Sequence, residues 1–357
     1  MTTANMNSKS TEMKAGPVFV VGMWRSGTSL LYALLNLHPQ IALMYEGDLP
    51  MLPGLFKNGK PKEDWVERWE FWNGALSRHQ VDMDSVPRNV ANMREAMEAV
   101  HSKHAGLALW GCKSPSYYDS MVRLAKEFPG ARFIVIYRDP NDIVRSVVRA
   151  GKKSRWFAKK GLPLRIILGY REMKRQAEEL ARMGAHLHEL QYENLVRDPS
   201  KELMSICQFL GIAYDARMVS LEQADRSAIY NAEHHSGVKS RKIAAAGERK
   251  EVLSPAMLRK IGRYVNMWQA EYGRVWPEYP APDRSHRDTP GLVERTIDRA
   301  RYRMLRTYDD AIASFYCWAP LGMLKAYRRM RQPAAPKAQS TEQKKEANKG
   351  LQSVGAD

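Results

Sequence analysis

Residues 17–29 read Pro-Val-Phe-Val-Val-Gly-Met-Trp-Arg-Ser-Gly-Thr-Ser, and this stretch decides the fold. Its apolar run Val18–Val21 is mostly β-branched and predicts a buried parallel strand. Gly22 and Gly27 bound a tight loop, and the apolar residues that resume at Leu30 predict a helix. The first N–H groups of a helix lack internal partners, and the helix dipole adds partial positive charge there. The stretch therefore predicts a cradle for a phosphate.

The loop departs from the Walker A pattern G-x-x-x-x-G-K-[ST]. Gly22 and Gly27 keep the spacing, but Thr28 stands where the lysine belongs, and the cation is Arg25 inside the loop. Without that lysine, a nucleoside triphosphatase lacks its usual contact to the β- and γ-phosphates. Taken alone, the loop also fits a strand-to-helix turn that binds no ligand.

A second strand–loop–helix unit begins at Arg132. The run Phe133–Tyr137 predicts a buried strand, after which Asp139 suits a helix N-cap and Pro140 the first helical position. Ser146 lies eight residues after Arg138, about two helical turns along. Arg138 and Ser146 are therefore expected to converge on one phosphate. The alternative is that Arg138 forms a structural salt bridge.

The two motifs, in this order and in these contexts, resemble those of sulfotransferases that use 3′-phosphoadenosine 5′-phosphosulfate (PAPS). The pattern is nearest to bacterial and tyrosylprotein-type enzymes. The resemblance covers about residues 17–280 and implies a P-loop three-layer α/β fold with a central, mostly parallel sheet. It implies that Arg138 and Ser146 bind the 3′-phosphate. It assigns the 5′-phosphosulfate to Arg25, Ser26, Gly27, Thr28 and Ser29.

Two further charged residues follow predicted strands. Glu46 comes after the apolar run Ile41–Tyr45, and a carboxylate at the carboxyl end of a parallel strand lies on the ligand side of the sheet. By resemblance to the tyrosylprotein-type enzymes, Glu46 is the general base and Lys113, in Lys113-Ser114-Pro115, stabilises the transferring group with Arg25. The alternatives are a surface carboxylate that caps the next element and a solvated lysine.

Two other segments are candidates for parts of the site. Trp65, Trp69 and Trp72 share one helical face, which either packs on the body or forms an aromatic wall for an acceptor. A basic segment after residue 235 lies where sulfotransferases place a loop that closes over the nucleotide. The resemblance there implies that Lys239 or Arg241 contacts the 3′-phosphate.

The composition favours anionic partners. Lys and Arg total 56 against 39 Asp and Glu, a formal net charge of +17, which suits a phosphorylated cofactor, nucleic acid or an acidic membrane face. The three cysteines are too few and too scattered for a disulfide framework or a zinc site, which favours a reducing, cytoplasmic compartment. Residues 1–16 lack the apolar core of a secretory signal and are expected to be disordered.

The resemblance does not extend to the C-terminal part of the chain. Residues 281–331 predict a helical extension, with a basic face at Arg295, Arg299, Arg303 and Arg306. The uncharged run 311–324 is too short to span a bilayer and suits an interfacial or a packing helix. Contact with the body, with a membrane periphery or with a second subunit of a homodimer remains open. Residues 332–357 are expected to be disordered.

The sequence therefore predicts an enzyme that moves a sulfuryl group from PAPS to a hydroxyl of a sugar, glycolipid, phenol or tyrosine, with no metal. One alternative is a P-loop kinase or nucleotide hydrolase, against which Thr28 argues. The other is a non-catalytic basic protein that binds membranes or nucleic acid. Nucleic acid is not expected as a partner, because the basic surplus lies in loops and in the C-terminal helix rather than along a stripe with interleaved aromatic residues.

Overall fold

The computed structural model describes residues 17–101, 109–159, 161–229, 243, 252–272 and 288–331. The strands in this part of the chain are β1 (Val18–Val21), β2 (Ile41–Tyr45), β3 (Phe56–Lys57), β4 (Lys60–Pro61), β5 (Leu109–Lys113), β6 (Arg132–Tyr137) and β7 (His186–Gln191). The helices are α1 (Thr28–Leu35), α2 (Trp65–Asn73), α3 (Ala75–Arg78), α4 (Met93–His101), α5 (Met121–Glu127), α6 (Pro140–Gly151), α7 (Leu162–Arg182), α8 (Tyr192–Arg197), α9 (Pro199–Leu210), α10 (Pro255–Tyr272), α11 (Leu292–Trp318) and α12 (Leu321–Arg331).

Five of the described strands form one parallel sheet in the order β2–β5–β1–β6–β7, while β3 and β4 form a small antiparallel hairpin. In the sheet, Val18 lies opposite Gly111 and Arg132, and Tyr45 lies opposite Lys113. Because all five strands run in one direction, their carboxyl ends share one edge. The predicted parallel sheet is confirmed, and the loops that carry the predicted site residues leave from this edge.

Successive residues of β1 face two separate cores. Val18 and Val20 pack into one apolar cluster with residues of α1 and α9, while Phe19 and Val21 pack into a second cluster with residues of α5 and α7. A strand that is buried on both faces must be apolar at every position, as this one is. The sheet is therefore the middle layer of three, as the resemblance implied.

The helix ends follow the local sequence signals. Asp139 accepts a hydrogen bond from the backbone N–H of Asn141 at 2.7 Å, and Pro140 opens α6. Asp198 caps α9 in the same way, and Gly211 ends that helix in the left-handed region at φ 74°. The Asp139 cap fixes where α6 begins, and hence where Ser146 lies relative to Arg138.

Strand β5 differs from its prediction. The apolar run 107–110 predicts a short strand with Gly111 in the following loop, and residues 107 and 108 lie outside the described residues. The structure continues the strand to Lys113. A Cβ at Gly111 would lie 1.9 Å from the carbonyl oxygen of Val18, so only glycine lets the two strands approach this closely. Lys113 is therefore the last residue of a central strand.

Helix α11 packs against the body through polar contacts. The hydroxyls of Tyr302 and Tyr118 lie 3.0 Å apart, and Arg306 pairs with the buried carboxylate of Asp119 at 2.5 Å. One member of the predicted basic face is thus turned inward. Of the three contacts that the sequence left open for this region, the structure shows contact with the body.

The chain divides between Cys317 and Trp318 into two compact units, and α12 belongs to the second. The predicted boundary at residue 281 lies in a stretch outside the described residues, as do the predicted disordered ends 1–16 and 332–357. None of the described helices is both long enough and apolar enough to cross a bilayer.

Candidate active site

The loop after β1 turns sharply before α1 begins. Gly27 adopts φ 101°, and a Cβ there would lie 2.3 Å from the ring of Tyr192, so this position requires glycine. Arg25 is also left-handed at φ 73°, and the N–H of Ser26 donates to the carbonyl of Met23 at 3.0 Å. The loop therefore folds back on itself and delivers the Arg25 side chain to the carboxyl edge of the sheet.

Three residues predicted from separate motifs come together at this edge. Arg25 Nε donates to Ser146 Oγ at 3.0 Å, across 121 positions of the chain. Arg138 Nη1 donates to the carbonyl of Arg25 at 3.1 Å, and the Arg138 guanidinium lies over the Tyr192 ring at 4.2 Å. The loop, the strand end and the helix face thus form one cationic cluster, in which Arg25 and Ser146 share a hydrogen bond.

The cluster has the electrostatics of an anion site. Burial, together with the nearby charges of Arg138 and Arg149, lowers the pKa of Arg25 to about 10. Among the described residues, the buried atoms Ser26 Oγ and Arg138 Nε have no hydrogen-bond partner. Buried polar atoms without a hydrogen-bond partner indicate a bound group that supplies the missing hydrogen bonds.

Glu46 and Lys113 form a second pair at the same edge. Lys113 Nζ donates to Glu46 Oε1 at 2.7 Å, and the backbone N–H of Glu46 donates to the Lys113 carbonyl at 2.7 Å. The Lys113 side chain is 1% exposed and lies over the Tyr45 ring at 4.0 Å. Burial lowers the pKa of Lys113, while Glu46 opposes that shift. Lys113 is therefore not the solvated lysine of the alternative interpretation.

Tyr45 links the two halves of the site, and sequence reasoning missed it. Its hydroxyl lies 2.8 Å from Ser29 Oγ in the first turn of α1, and its ring stacks on the Lys113 ammonium. Its position directly before Glu46 at the end of β2 was the available signal.

The turn after β2 is held by side chains that the sequence did not single out. Glu46 and Asp48 both have positive φ, at 49° and 56°. Asn73 Nδ2 donates to the Glu46 carbonyl at 2.6 Å, and Arg78 Nη2 donates to the carbonyls of Tyr45 and Glu46 at 3.0 Å each. Burial lowers the pKa of His79 to about 4, so its neutral Nε2 accepts from the Tyr45 N–H at 2.9 Å. These contacts stabilise a conformation that non-glycine residues adopt at a cost.

Asp48 adds a second carboxyl group to this turn. It is buried, and burial together with the charge of Glu46 raises its pKa to about 6. One of its oxygens, Oδ1, has no hydrogen-bond partner among the described residues.

Two predictions remain, one for the tryptophans of α2 and one for the basic segment after residue 235. Trp65 and Trp69 are fully buried in the core, and Trp72 packs edge-on against Tyr316 of α11. These contacts agree with the packing interpretation of α2 rather than with an acceptor wall. Lys239 and Arg241 lie outside the described residues.

Comparison with known proteins gives the family. The model of the sulfotransferase family matches residues 17–216, and the chain belongs to this family. It is 22% identical over 204 residues to a putative protein-tyrosine sulfotransferase of Caenorhabditis briggsae, covering 57% of this chain and 68% of that protein. It is 25% identical over 264 residues to protein-tyrosine sulfotransferase 1 of Danio rerio, covering 70% of this chain and 65% of the relative. The chain therefore spans about two thirds of the length of each.

A solved structure supports the fold. The sulfotransferase domain from the curacin biosynthetic pathway superposes with a TM-score of 0.53 and 18% identity, over 71% of this chain and 98% of that domain. At this identity the likeness concerns the fold alone.

Proposed function

We propose that this protein transfers a sulfuryl group from PAPS to a hydroxyl-bearing acceptor. The observation that carries the proposal is the meeting of Arg25, Arg138 and Ser146 at the sheet edge that also holds the Glu46–Lys113 pair. Two sets of groups are thereby available, one for a nucleotide with two phosphates and one for proton transfer.

The residues present fit such a nucleotide. Ser26 Oγ and Arg138 Nε are buried and lack partners in the described part of the chain, and an anion would satisfy both. In this proposal Arg138 and Ser146 bind the 3′-phosphate. The 5′-phosphosulfate contacts Arg25, Ser26, Gly27, Thr28 and Ser29. Lys239 and Arg241 remain proposed contacts, on the ground of the resemblance alone.

The chain's own groups have distinct roles in the transfer. PAPS supplies the sulfuryl group and departs as the 3′,5′-bisphosphate. Glu46 takes the proton of the acceptor hydroxyl as that oxygen bonds to sulfur; Lys113 holds Oε1, which leaves Oε2 to accept. Arg25 and Lys113 stabilise the negative charge that develops on the bridging oxygen. Removing one preorganised donor of this kind typically costs about 2.7–4 kcal/mol of barrier.

The relatives guide the choice of acceptor. Both curated relatives named above are protein-tyrosine sulfotransferases, so a tyrosine peptide is the first acceptor to test, followed by a phenol, a sugar and a glycolipid. A cytoplasmic setting is supported by the three cysteines, which are all buried and unbonded to one another.

The proposal is tested by measuring radiolabelled transfer from PAPS to these acceptors, and by calorimetry with desulfated PAPS. We expect Arg138→Ala to weaken binding of the 3′-phosphorylated nucleotide by about 10- to 100-fold, the loss of a charged hydrogen bond, and to change binding of the 3′-dephospho analogue little. Arg145→Ala is the matched control, since Arg145 lies on α6, the helix that follows Arg138, and pairs with Asp142 at 3.2 Å. Equal losses for the two nucleotides would refute the 3′-phosphate assignment.

A further inference from the structure

The outward side of α11 carries a line of exposed apolar side chains. Val293, Ile297, Met304 and Tyr308 are 73%, 47%, 65% and 60% exposed. At 100° per residue, these four positions fall within about 60° of one another around the helix. Single exposed apolar residues are normal, but an aligned set marks a contact surface. We call this set the outer face of α11.

The opposite side of α11 is fixed to the body. Asp298 is 2% exposed and accepts from the Tyr264 hydroxyl at 2.9 Å and from Lys260 at 2.6 Å. One turn further, the Tyr302 hydroxyl meets that of Tyr118, and Arg306 pairs with Asp119. These contacts prevent α11 from rotating about its axis to bury the outer face. The outer face therefore stays exposed in the folded protein.

Exposed arginines flank the outer face. Helix geometry places Arg301 about 20° beyond Tyr308 at one edge of the apolar line and Arg303 about 80° beyond Val293 at the other edge, and both are exposed. The acidic residues of α11 mostly face the body, where Glu294 pairs with Arg263 and Asp309 with Arg165. Within α11, Asp310 is the one exposed carboxylate, and Arg306 lies 3.6 Å from it. The surface is thus apolar along its centre and basic at its margins.

This charge pattern selects among partners. In a two-fold pairing with a second copy, the same patch meets itself, so two arginines from each copy would be compensated by one Asp310 per copy. A surface of anionic lipid headgroups instead neutralises the arginines while the apolar side chains enter the acyl boundary. Long arginine side chains can reach such headgroups while their stems lie on apolar surface.

We propose that the outer face of α11 docks on a membrane surface rich in anionic lipid, with the helix lying in the plane of the interface. This inference does not depend on the transfer reaction, because it concerns a surface outside the candidate active site. It commits the helical extension to one of the contacts that the sequence left open.

The test uses the full chain and co-sedimentation with two kinds of vesicle, pure phosphatidylcholine and phosphatidylcholine mixed with phosphatidylglycerol. We expect binding to the anionic vesicles to be at least about tenfold tighter, since each basic residue near such a surface contributes about fivefold. Binding should be lost in about 1 M salt, where the Debye length falls to about 3 Å.

Variants separate the outer face from the rest of this basic protein. Met304→Glu is expected to weaken binding to anionic vesicles by about tenfold or more, and changing both Arg301 and Arg303 to serine should abolish the preference for anionic lipid. Met204→Glu is the matched control, because Met204 is a 49% exposed methionine on α9 and its change should leave binding as it is. Circular dichroism verifies that each variant is folded.

Three results would overturn the inference. Equal binding to the two vesicles is one, and unchanged binding by Met304→Glu is another. The third is self-association of the wild-type chain in sedimentation equilibrium that Met304→Glu abolishes while vesicle binding stays the same, because the outer face would then serve a second copy. If truncation after residue 331 abolishes vesicle binding while Met304→Glu leaves it unchanged, that outcome is a case of the second result and also overturns the inference.

Discussion

Glu46 occupies the position at which a proton must be taken up if the proposed reaction is right. Its carboxylate accepts from Lys113 at 2.7 Å. Its backbone adopts the left-handed region and is held there by the hydrogen bond that Asn73 donates to the Glu46 carbonyl. The side chain is thus fixed at both ends, which is what a general base requires, because proton transfer depends on distance and direction.

Glu46→Gln tests this role. Glutamine keeps the size of the side chain and an oxygen for Lys113, but it cannot take up a proton. We expect kcat to fall by about 10²–10⁴-fold with nucleotide binding unchanged, as measured by steady-state transfer and calorimetry. Glu98→Gln, at an exposed position on α4, serves as the control. Normal turnover would remove Glu46 from the role of base.

Asp48 predicts a pH dependence of stability. Burial and the charge of Glu46 raise its pKa to about 6, above the ordinary value of 3.8, so the folded state favours the protonated carboxyl. The stabilising contribution is therefore complete below about pH 4 and is lost as the pH rises through about 6. Each unit of difference between the folded and unfolded pKa values corresponds to about 1.4 kcal/mol in the free energy of unfolding. The loss of stability therefore approaches about 3 kcal/mol.

Asp48→Asn isolates this contribution, since an amide does not titrate. In urea titrations at a series of pH values, we expect the free energy of unfolding of the variant to rise relative to that of the wild type between about pH 4 and pH 6. Above that range the variant should remain the more stable protein. A difference between the two proteins that does not vary with pH would contradict the prediction.

At the scale of elements, the turn between β2 and α2 depends on donors from α2 and α3. Asn73 donates to the Glu46 carbonyl at 2.6 Å, and Arg78 donates to the same carbonyl. Asn73→Asp keeps the shape of the side chain and removes the donor. We expect kcat to fall by about tenfold, the value of one lost hydrogen bond, without a change in nucleotide affinity.

The matched control for this prediction is Asn92→Asp, at the start of α4, where either side chain can accept from the N–H of Glu95. A fall in nucleotide affinity equal to the fall in kcat would mean that Asn73 supports the whole edge of the sheet rather than the position of Glu46.

The elements that the sequence predicted are those whose cause is local. The apolar runs at 18–21 and 133–137 and the cap at Asp139 can be recognised from neighbouring residues alone. Asn73 and Arg78 could not be predicted, because they donate to backbone carbonyls, which any donor can serve. The burial of Lys113 could not be predicted either. It follows from the position of β5, which contains Gly111 and Lys113 and lies between β1 and β2.

The same limit applies to the candidate site. Two motifs gave Arg25, Arg138 and Ser146, and the parallel sheet explains why they meet. The hydrogen bond between Arg25 and Ser146 was not predicted, because two motifs more than a hundred residues apart carry no information on the distance between their side chains. Tyr45 was missed because an aromatic residue at a strand end is indistinguishable in sequence from a core residue.

At the scale of the whole molecule, α11 depends on buried polar contacts with α10. Asp298 is 2% exposed, and its loss would leave the Tyr264 hydroxyl and the Lys260 ammonium without this partner. We expect Asp298→Ala to lower the free energy of unfolding by about 2–3 kcal/mol in urea titrations.

Asp310→Ala provides the comparison on the same helix. Asp310 is 66% exposed, and its removal should change the free energy of unfolding by no more than about 0.5 kcal/mol. Similar effects of the two changes would show that α11 is not anchored at Asp298.

The bond between Arg25 and Ser146 has a consequence for how a ligand enters. A hydroxyl carries two lone pairs and one hydrogen, and Ser146 accepts from Arg25, so its hydrogen is left to be donated. An incoming phosphate oxygen can accept that hydrogen while the contact between loop and helix stays intact. The cationic cluster is therefore formed when the chain folds rather than when a nucleotide arrives. Changes that loosen the packing of α6 on the sheet are expected to weaken the proposed nucleotide binding even where they touch no ligand.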